Sequence, residues 1–412
     1  MDNTPTITII TANFYPEDTA IGLYTSQFAN YLKKEGFAVQ VITGFPYYPQ
    51  WKIQDNYSNK PRFFKEKING IDVFRFKQFV PKKASFFSRI LMMLSLFFGT
   101  IINLKRINHS DLIICIVPFT ISIIPGLILS KFKRSKLWVH VQDLEFDLAF
   151  EAGVISKNNL FTSFFKKIAF WLESALFNYS DIISSISHTM LEKIKTKTKN
   201  QDLFYFPNWI SAENINPSNC LQHVFINKNR FTVLYSGNIG EKQDWQLLQK
   251  ICNLIKNEDA IDIVIVGDGG YKDNLKETLS NYNFVKFYPP VPYKDLNNLL
   301  CSANVHFLFQ KNNVLDTIMP SKILGMMASG KPSIITGNQN SEVNTIIKES
   351  NGGYYLSQNN PENEIYKTLL DLKNNADINF MGEKARKYIL EKFSEKAIFS
   401  NVKFKIHSIL SE

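Results

Sequence analysis

LYSGNIGEKQDW, residues 234–245, is the stretch on which the fold turns. A β-branched and aromatic run stops at Ser236, two glycines follow at Gly237 and Gly240, and a helical pattern begins at Gln243. Glycine lets a backbone approach a ligand closely, and the free N–H groups at a helix start favour an anion. Lys242 adds positive charge. The stretch reads either as a plain tight strand-to-helix turn or as a phosphate cradle built from Gly237, Asn238, Gly240 and Lys242.

The same grammar repeats downstream. VIVGDGGYKDNL, residues 264–275, is a second strand running into a glycine loop. Gly267, Gly269 and Gly270 either form a simple turn or leave room for a flat ring or sugar near Asp268. The loop Pro289–Tyr293, with Val291 and Tyr293, leads into a helix and can offer backbone groups to the edge of a nucleobase. In DTIMPSKILGMMASGKPSIIT, residues 316–336, Pro320 and Ser321 suit a helix start, with Ser321 as N-cap. Lys322 then lies in the first turn, where the helix dipole disfavours a cation. An anion nearby would explain it; a solvated lysine is the alternative. Asp316 precedes in a loop.

Upstream, strand candidates at 6–11, 39–43, 71–76, 112–117, 137–141 and 181–187 alternate with helix candidates near 23–35, 86–107, 122–131, 161–178 and 188–197. After FPNWISAENINPSN, from Phe206, strands at 231–236, 261–266, 285–288, 305–309 and 332–336 alternate with helices near 243–256, 272–279, 293–302 and 322–328, and a last helix runs from 383. Near-continuous apolar strands separated by helices are the mark of parallel sheets covered on both faces. The expected fold is α/β, two doubly wound Rossmann-like domains facing a cleft. Residues 1–206 form the first, 207–382 the second, and 383–412 a C-terminal helix returning to the first. Ligands in such sheets bind beyond the carboxyl ends of the strands.

Bulk properties agree. The 412 residues suit two domains of roughly 200 each. With 45% hydrophobic and 20% charged residues, a disordered or fibrous chain is excluded. The net charge of +10 suits phosphates, nucleic acid or an anionic membrane face. Cys115, Cys220, Cys252 and Cys301 lie far apart without a CxxC pair, and the histidines are scattered, so neither a zinc site nor a disulfide framework is indicated and a reducing cytoplasm is expected. MDNTPTITIIT reads as a first strand rather than a signal peptide. Residues 84–106 are strongly apolar but are interrupted by Ser95, Gly99, Thr100 and Asn103. They fall short of the ~20 apolar residues of a span. A buried helix and a helix lying on the membrane both remain open, the latter favoured by Lys82, Lys83, Arg89, Lys105 and Arg106.

The first half carries three more candidate clusters. Gly22 stands at a loop-to-helix junction after the first strand. TGFPYYPQWKI, residues 43–53, places Tyr47, Tyr48 and Trp51 among prolines, for sugar stacking or for packing. HVQDLEFD, residues 140–147, ends a strand in His140, Gln142, Asp143, Glu145 and Asp147. His140 is either chemical or a satisfied core histidine.

Taken together, AIGLYTSQFANYL with GFPYYPQWK, WVHVQDLEFDLAFEAGVI, FPNWI, YSGNIGEKQ and MPSKILGMMASGKP resemble a GT-B glycosyltransferase of the retaining family 4 type. The similarity runs over nearly the whole chain, and the wording is most similar to the colanic-acid fucosyltransferase group of exopolysaccharide enzymes. The resemblance implies a second domain that binds a nucleoside diphosphate sugar. Gly237, Asn238, Gly240 and Lys242 would lie at the diphosphate, and Gly267, Asp268, Val291 and Tyr293 near the base. Asp316, Ser321 and Lys322 would meet the donor sugar and phosphate, with Gly22 closing over the phosphates. His140 or Asp143 would face the transferred sugar, and Tyr47, Tyr48 and Trp51 the acceptor. The sequence departs from that pattern where the family usually carries two glutamates: Thr317 and Gly325 stand there, with Asp316 one residue from the first. Asn238 and Gln243 stand where an Arg and a Lys are usual.

The activity implied by the resemblance is retaining hexosyl transfer, with fucose from its GDP form implied by the subgroup. The expected acceptor is a polyprenyl-diphosphate-linked oligosaccharide in capsule, exopolysaccharide or O-antigen synthesis. No metal or other cofactor and no nucleic acid is expected. The enzyme would work in the cytoplasm, peripheral on the inner membrane face. A nucleotide-sugar epimerase on the same fold and a non-catalytic nucleotide-sugar-binding subunit are the alternatives.

Overall fold

The computed structural model describes residues 4–18, 20–81, 86–147, 160–199, 202–312, 322–357, 361–375 and 377–411. The chain forms two compact units, one of residues 1–207 with 399–412, the other of residues 208–398.

The strands of the first unit are β1 (Thr6–Ile10), β2 (Ala38–Gly44), β3 (Phe63–Ile68), β4 (Ile71–Phe76), β5 (Leu112–Val117), β6 (Lys136–Val141), β7 (Ile182–Ser185) and β8 (Leu203–Tyr205). They form one sheet in the order β3-β4-β2-β1-β5-β6-β7-β8, parallel except for the β3–β4 pair. In the second unit β9 (Phe231–Ser236), β10 (Ile261–Val266), β11 (Val285–Tyr288), β12 (Val305–Phe309), β13 (Ser333–Thr336) and β14 (Gly353–Tyr355) form an all-parallel sheet in the order β11-β10-β9-β12-β13-β14. Both are Rossmann-like sheets, as the alternating pattern requires.

The apolar strands explain the architecture. Leu112–Val117 (LIICIV) and Ile261–Val266 (IDIVIV) are buried at every position, as strands covered on both faces must be. Asp262 is the polar exception inside β10. Its carboxylate accepts from Arg230 Nε and Lys286 Nζ, each at 2.6 Å, so the buried charge is neutralised where it sits.

The final helices divide between the units. Helix Ile378–Phe393 packs on helix Lys322–Ala328, and Arg386 donates to the carbonyls of Ala328 and Ile215. Helix Glu395–Ser411 passes into the first unit from Phe399, whose ring stacks on Tyr31 at 4.3 Å. Residues 378–398 therefore lie in the second unit.

Helix Phe86–Leu104 is neither fully buried nor a span. Leu96, Thr100, Asn103 and Leu104 face inward, and a Cβ at Gly99 would stand 2.0 Å from the ring of Phe76 on β4. Leu91 (54% exposed), Leu94, Phe98 (58%) and Ile102 form an outward apolar stripe at helical spacing. The neighbouring helix Ile123–Lys133 ends in exposed Phe132, and its Lys131 lies over the ring of exposed Tyr179. Trp171, on helix Leu160–Asn178, is also exposed, at 70%. Among the described residues no helix is long and apolar enough to cross a membrane.

Candidate active site

In the second unit the strand order reverses between β9 and β12: the chain winds from β9 outward through β10 to β11, then returns to β12 and winds the other way. Beyond the carboxyl ends of two such strands the covering helices part, which makes a crevice for a ligand. Lys322 comes from the crossover after β12 and crosses this switch point to β9. Its Nζ donates to the Tyr235 hydroxyl at 2.9 Å and lies 4.5 Å from the centre of that ring. Tyr235 in turn donates to the Asn238 carbonyl at 2.7 Å. Among the described residues no carboxylate pairs with Lys322, and burial brings its ammonium down to about 8. Burial also pushes the Tyr235 phenol up, so it stays a neutral donor and acceptor.

The glycines are fixed by contact. Gly237 has φ +139°, and a Cβ there would stand 3.1 Å from Lys322 Nζ. At Gly267 a Cβ would stand 1.9 Å from the Gly237 carbonyl oxygen; at Gly269, φ +154°, it would stand 2.3 Å from the Ile239 carbonyl oxygen. The β9 and β10 loops are thus pressed together at the strand ends, and only glycine fits the seam.

Part of the expected backbone cradle is already in use. Gly237 N donates to Val266 O at 2.9 Å, Ile239 N to Asp268 O at 2.8 Å and Gly240 N to Gln243 Oε1 at 3.0 Å, so these amides are engaged within the fold. The next helix starts at Trp245 rather than Gln243, and Asp244 caps it by accepting from Leu247 N at 3.1 Å. An acidic N-cap closes that helix end to an anion. The cation placed at the switch point is Lys322. Lys242 is exposed, and its carbonyl accepts from Lys311 N at 3.2 Å.

Asn238 is exposed beside Gly240. The exposed Asp268 carboxylate accepts from its neighbour Gly269 N and pairs with Lys272 at 3.3 Å, which together hold it below the usual carboxylate range. Val291 packs, half-buried, against the apolar core, and the Tyr293 hydroxyl accepts from Asn214 Nδ2 at 3.4 Å. Asp316, Thr317 and Ser321 lie outside the described residues.

In the first unit the site candidates sort differently. His140 is 2% exposed on β6. One ring nitrogen lies 2.9 Å from Ser184 Oγ and the other 3.3 Å from Gln142 Nε2. Burial lowers it to about 3, so it is a neutral core imidazole. The expectation that it faces a sugar is corrected: an inward position on a fully covered strand outweighs its place near the strand end. Asp143 is half-buried just beyond that end. Glu145 accepts from the amides of Phe119 and Thr120 at 3.1 and 3.0 Å, and Asp147 pairs with Lys193 and Lys197.

Tyr47 is buried, its phenol pushed up to about 12 by desolvation and then by the charge of Glu17, so it packs rather than stacks on a ligand. Trp51 remains 37% exposed, 6.4 Å from the half-buried Tyr48 ring. At Gly22 a Cβ would meet Glu17 Cβ and O at 2.8 Å, so a side chain there would force a shift. Glu17 itself and Tyr235 are the organising residues that sequence patterns passed over. Tyr235 stands inside LYSGNIGEKQDW and Glu17 just ahead of AIGLYTSQFANYL, but only the packed structure shows that their polar atoms are internal.

Residues 230–375 match the family model described as glycosyl transferases group 1. The chain is 30% identical over 354 residues to a colanic acid biosynthesis glycosyl transferase, WcaI, of Escherichia coli K12, covering 82% of this chain and 84% of that one. Among solved structures it is similar to sucrose-phosphate synthase of Thermosynechococcus elongatus, with a TM-score of 0.69 and 13% identity over 99% of both chains. It is also similar to Anabaena HepE in complex with UDP-glucose, with a TM-score of 0.66 and 13% identity over 98% of this chain and 99% of that one. At such identity these structures show a shared fold, the two-domain GT-B arrangement.

Proposed function

The chain belongs to the group 1 glycosyltransferases, and from that premise we propose that it moves a hexosyl group from a nucleoside diphosphate sugar, with retention of configuration, to a lipid-linked oligosaccharide of an exopolysaccharide. The observation that carries the donor site is Lys322: a half-buried lysine whose ammonium has a neutral phenol as its polar partner, set at the sheet's switch point against Gly237, where no side chain stands between it and the backbone. A diphosphate there would supply the missing negative charge. UDP-glucose is bound by HepE, and colanic acid is the product class in the name of WcaI. These support the donor class and the polymer class. GDP-fucose is the donor suggested by the subgroup resemblance.

In the proposed reaction the bond from the sugar C1 to the leaving phosphate oxygen breaks with oxocarbenium character. A bond forms from the acceptor hydroxyl oxygen to C1 on the same face, and the acceptor proton passes to the leaving diphosphate. Lys322, with Lys242 at the rim, stabilises the charge that builds on that diphosphate. Asp143 at the end of β6 is the carboxylate proposed to face the transferred sugar. Such a mechanism needs no metal, so a chelator is expected to leave turnover unchanged.

The acceptor reading rests on Trp51 and Tyr48, and on the outward stripe Leu91, Leu94, Phe98 and Ile102 with Arg89 and Lys105 at its ends. An apolar helix face flanked by basic residues suits the surface of an anionic bilayer. The enzyme is thus proposed to work peripherally on the cytoplasmic face of the membrane. Binding to phosphatidylglycerol vesicles should weaken several-fold between ~0.1 and 0.5 M salt and fall further in Phe98→Glu.

The deciding experiment is thermal shift of the full chain with GDP, UDP, ADP and dTDP and their sugars. A ligand that binds only the folded state raises the melting point. A selective rise with one nucleotide, lost in Lys322→Met, supports the reading. No rise with any of them overturns the donor site.

A further inference from the structure

The β1 and β2 strands end side by side, and the segments that leave them, residues 11–18 and 45–51, meet at one buried carboxylate. Glu17 is 2% exposed. Its Oε1 accepts from the amides of Tyr47 and Tyr48, both at 2.7 Å; its Oε2 accepts from Asn13 Nδ2 at 3.0 Å and Phe14 N at 3.2 Å. Gly22 packs directly on it, as the Cβ clash shows. No lysine or arginine pairs with Glu17 among the described residues; four N–H donors hold it instead. Two further clamps fix the frame. Gln78 exchanges two bonds with the backbone of Phe45, at 2.7 and 2.8 Å. Fully buried Arg75 donates to the carbonyls of Gly44 (3.0 Å) and Tyr15.

We propose that Glu17 is a positioning residue for the transfer reaction: its two oxygens lock the segment 11–18 to the aromatic segment 47–51, so that this segment meets the acceptor in one fixed pose. The assignment of Tyr48 and Trp51 to the acceptor rests on the proposed function; the lock itself rests on the four bonds. A carboxylate is required because all four partners donate. Glutamine keeps one accepting oxygen and turns an N–H₂ toward two N–H donors.

The test is Glu17→Gln in the full chain, read first by amide hydrogen exchange. Exchange should rise at residues 11–18 and 45–51 and stay unchanged in residues 231–357. Kinetically, KM for acceptor should rise about tenfold, the scale of losing hydrogen bonds to a buried charge, while KM for donor stays within twofold. Asn13→Ala, which removes one donor and keeps the carboxylate, should shift the same quantities in the same direction by less, and stands in if Glu17→Gln does not fold. Unchanged exchange at 45–51 in either folded variant overturns the lock. Raised exchange with no change in acceptor KM overturns the positioning role. If Trp51→Ala also leaves acceptor KM unchanged, the acceptor reading fails with it while the lock survives.

Discussion

Glu17, which is buried, and Lys322, which is half-buried, are both charged groups at the carboxyl edge of a parallel sheet, and they are treated in opposite ways. Glu17 is saturated: burial pushes its carboxyl up, and four N–H donors from two loops pull against that. Among the described residues Lys322 bonds to a phenol and to no carboxylate, and burial lowers it to about 8. A buried charge costs several kcal/mol unless it is paired and hydrogen-bonded. Glu17 is stabilised by its own fold and so belongs to the architecture. Among the described residues Lys322 is left short, which is why the proposed function places an anionic ligand there.

The sharpest break of this contrast is Lys322→Met, which keeps the packing and removes the charge. Donor KM should rise at least about 30-fold, since truncating one partner of a buried charge pair costs roughly 2–5 kcal/mol and each 1.4 kcal/mol is a factor of about ten. Acceptor KM should stay near wild type, as measured by initial rates at saturating donor. The control is Asp262→Asn, a buried charge already neutralised by Arg230 and Lys286. It should lower stability by about 2 kcal/mol in urea titration, discounted because both partners are about a third exposed, and leave both KM values unchanged. An effect on donor KM would mean that saturated charges also serve the ligand.

Next in size is the pH dependence. Only the ammonium form of Lys322 attracts a diphosphate, so donor affinity should fall about tenfold per pH unit above the ammonium's value near 8. Lys322→Arg, if it binds, should carry that limb out of range. Stability runs the other way. The unfolded lysine holds its proton to about 10.5, so between about 8 and 10.5 the unfolded chain binds more protons and stability rises with pH from this group alone. Wild type should gain on Lys322→Met in chemical denaturation across that window without ligand, and the gain should vanish with donor bound.

The same contrast explains what the sequence could reveal. Strands such as Leu112–Val117 and Ile261–Val266 are legible because a doubly covered strand must be mostly apolar. The edge strands β3, β8 and β14 escape notice because they are half-exposed, and β8 and β14 are three residues long, too short to show a period. Gly22, Gly237 and Gly267 are legible because close approach demands glycine. His140 misleads, since a polar residue near a strand end looks chemical until the strand is seen to be covered on both faces. Glu17 and Tyr235 are invisible for the converse reason: what matters about them is which backbone atoms they touch, and no spacing in the sequence encodes that. The engaged amides of Gly237, Ile239 and Gly240 belong to the same class, because the β10 end and loop that bond two of them lie about 30 residues downstream.

The smallest effect tests the contrast most finely. Tyr235→Phe removes the hydroxyl bonded to Lys322 and keeps the ring beneath it, so the cation–π contact survives. If the fold leaves Lys322 short on purpose, making it shorter should cost the free protein more than the complex, because bound diphosphate takes over the lost bond. Donor KM should then change by no more than about threefold, the scale of one modest hydrogen bond. The alkaline limb of donor binding should move to lower pH, since the ammonium loses an acceptor. A large rise in donor KM with the limb unmoved would instead mean that the Tyr235 hydroxyl acts through the Asn238 carbonyl, shaping the loop at Gly237 rather than serving the lysine.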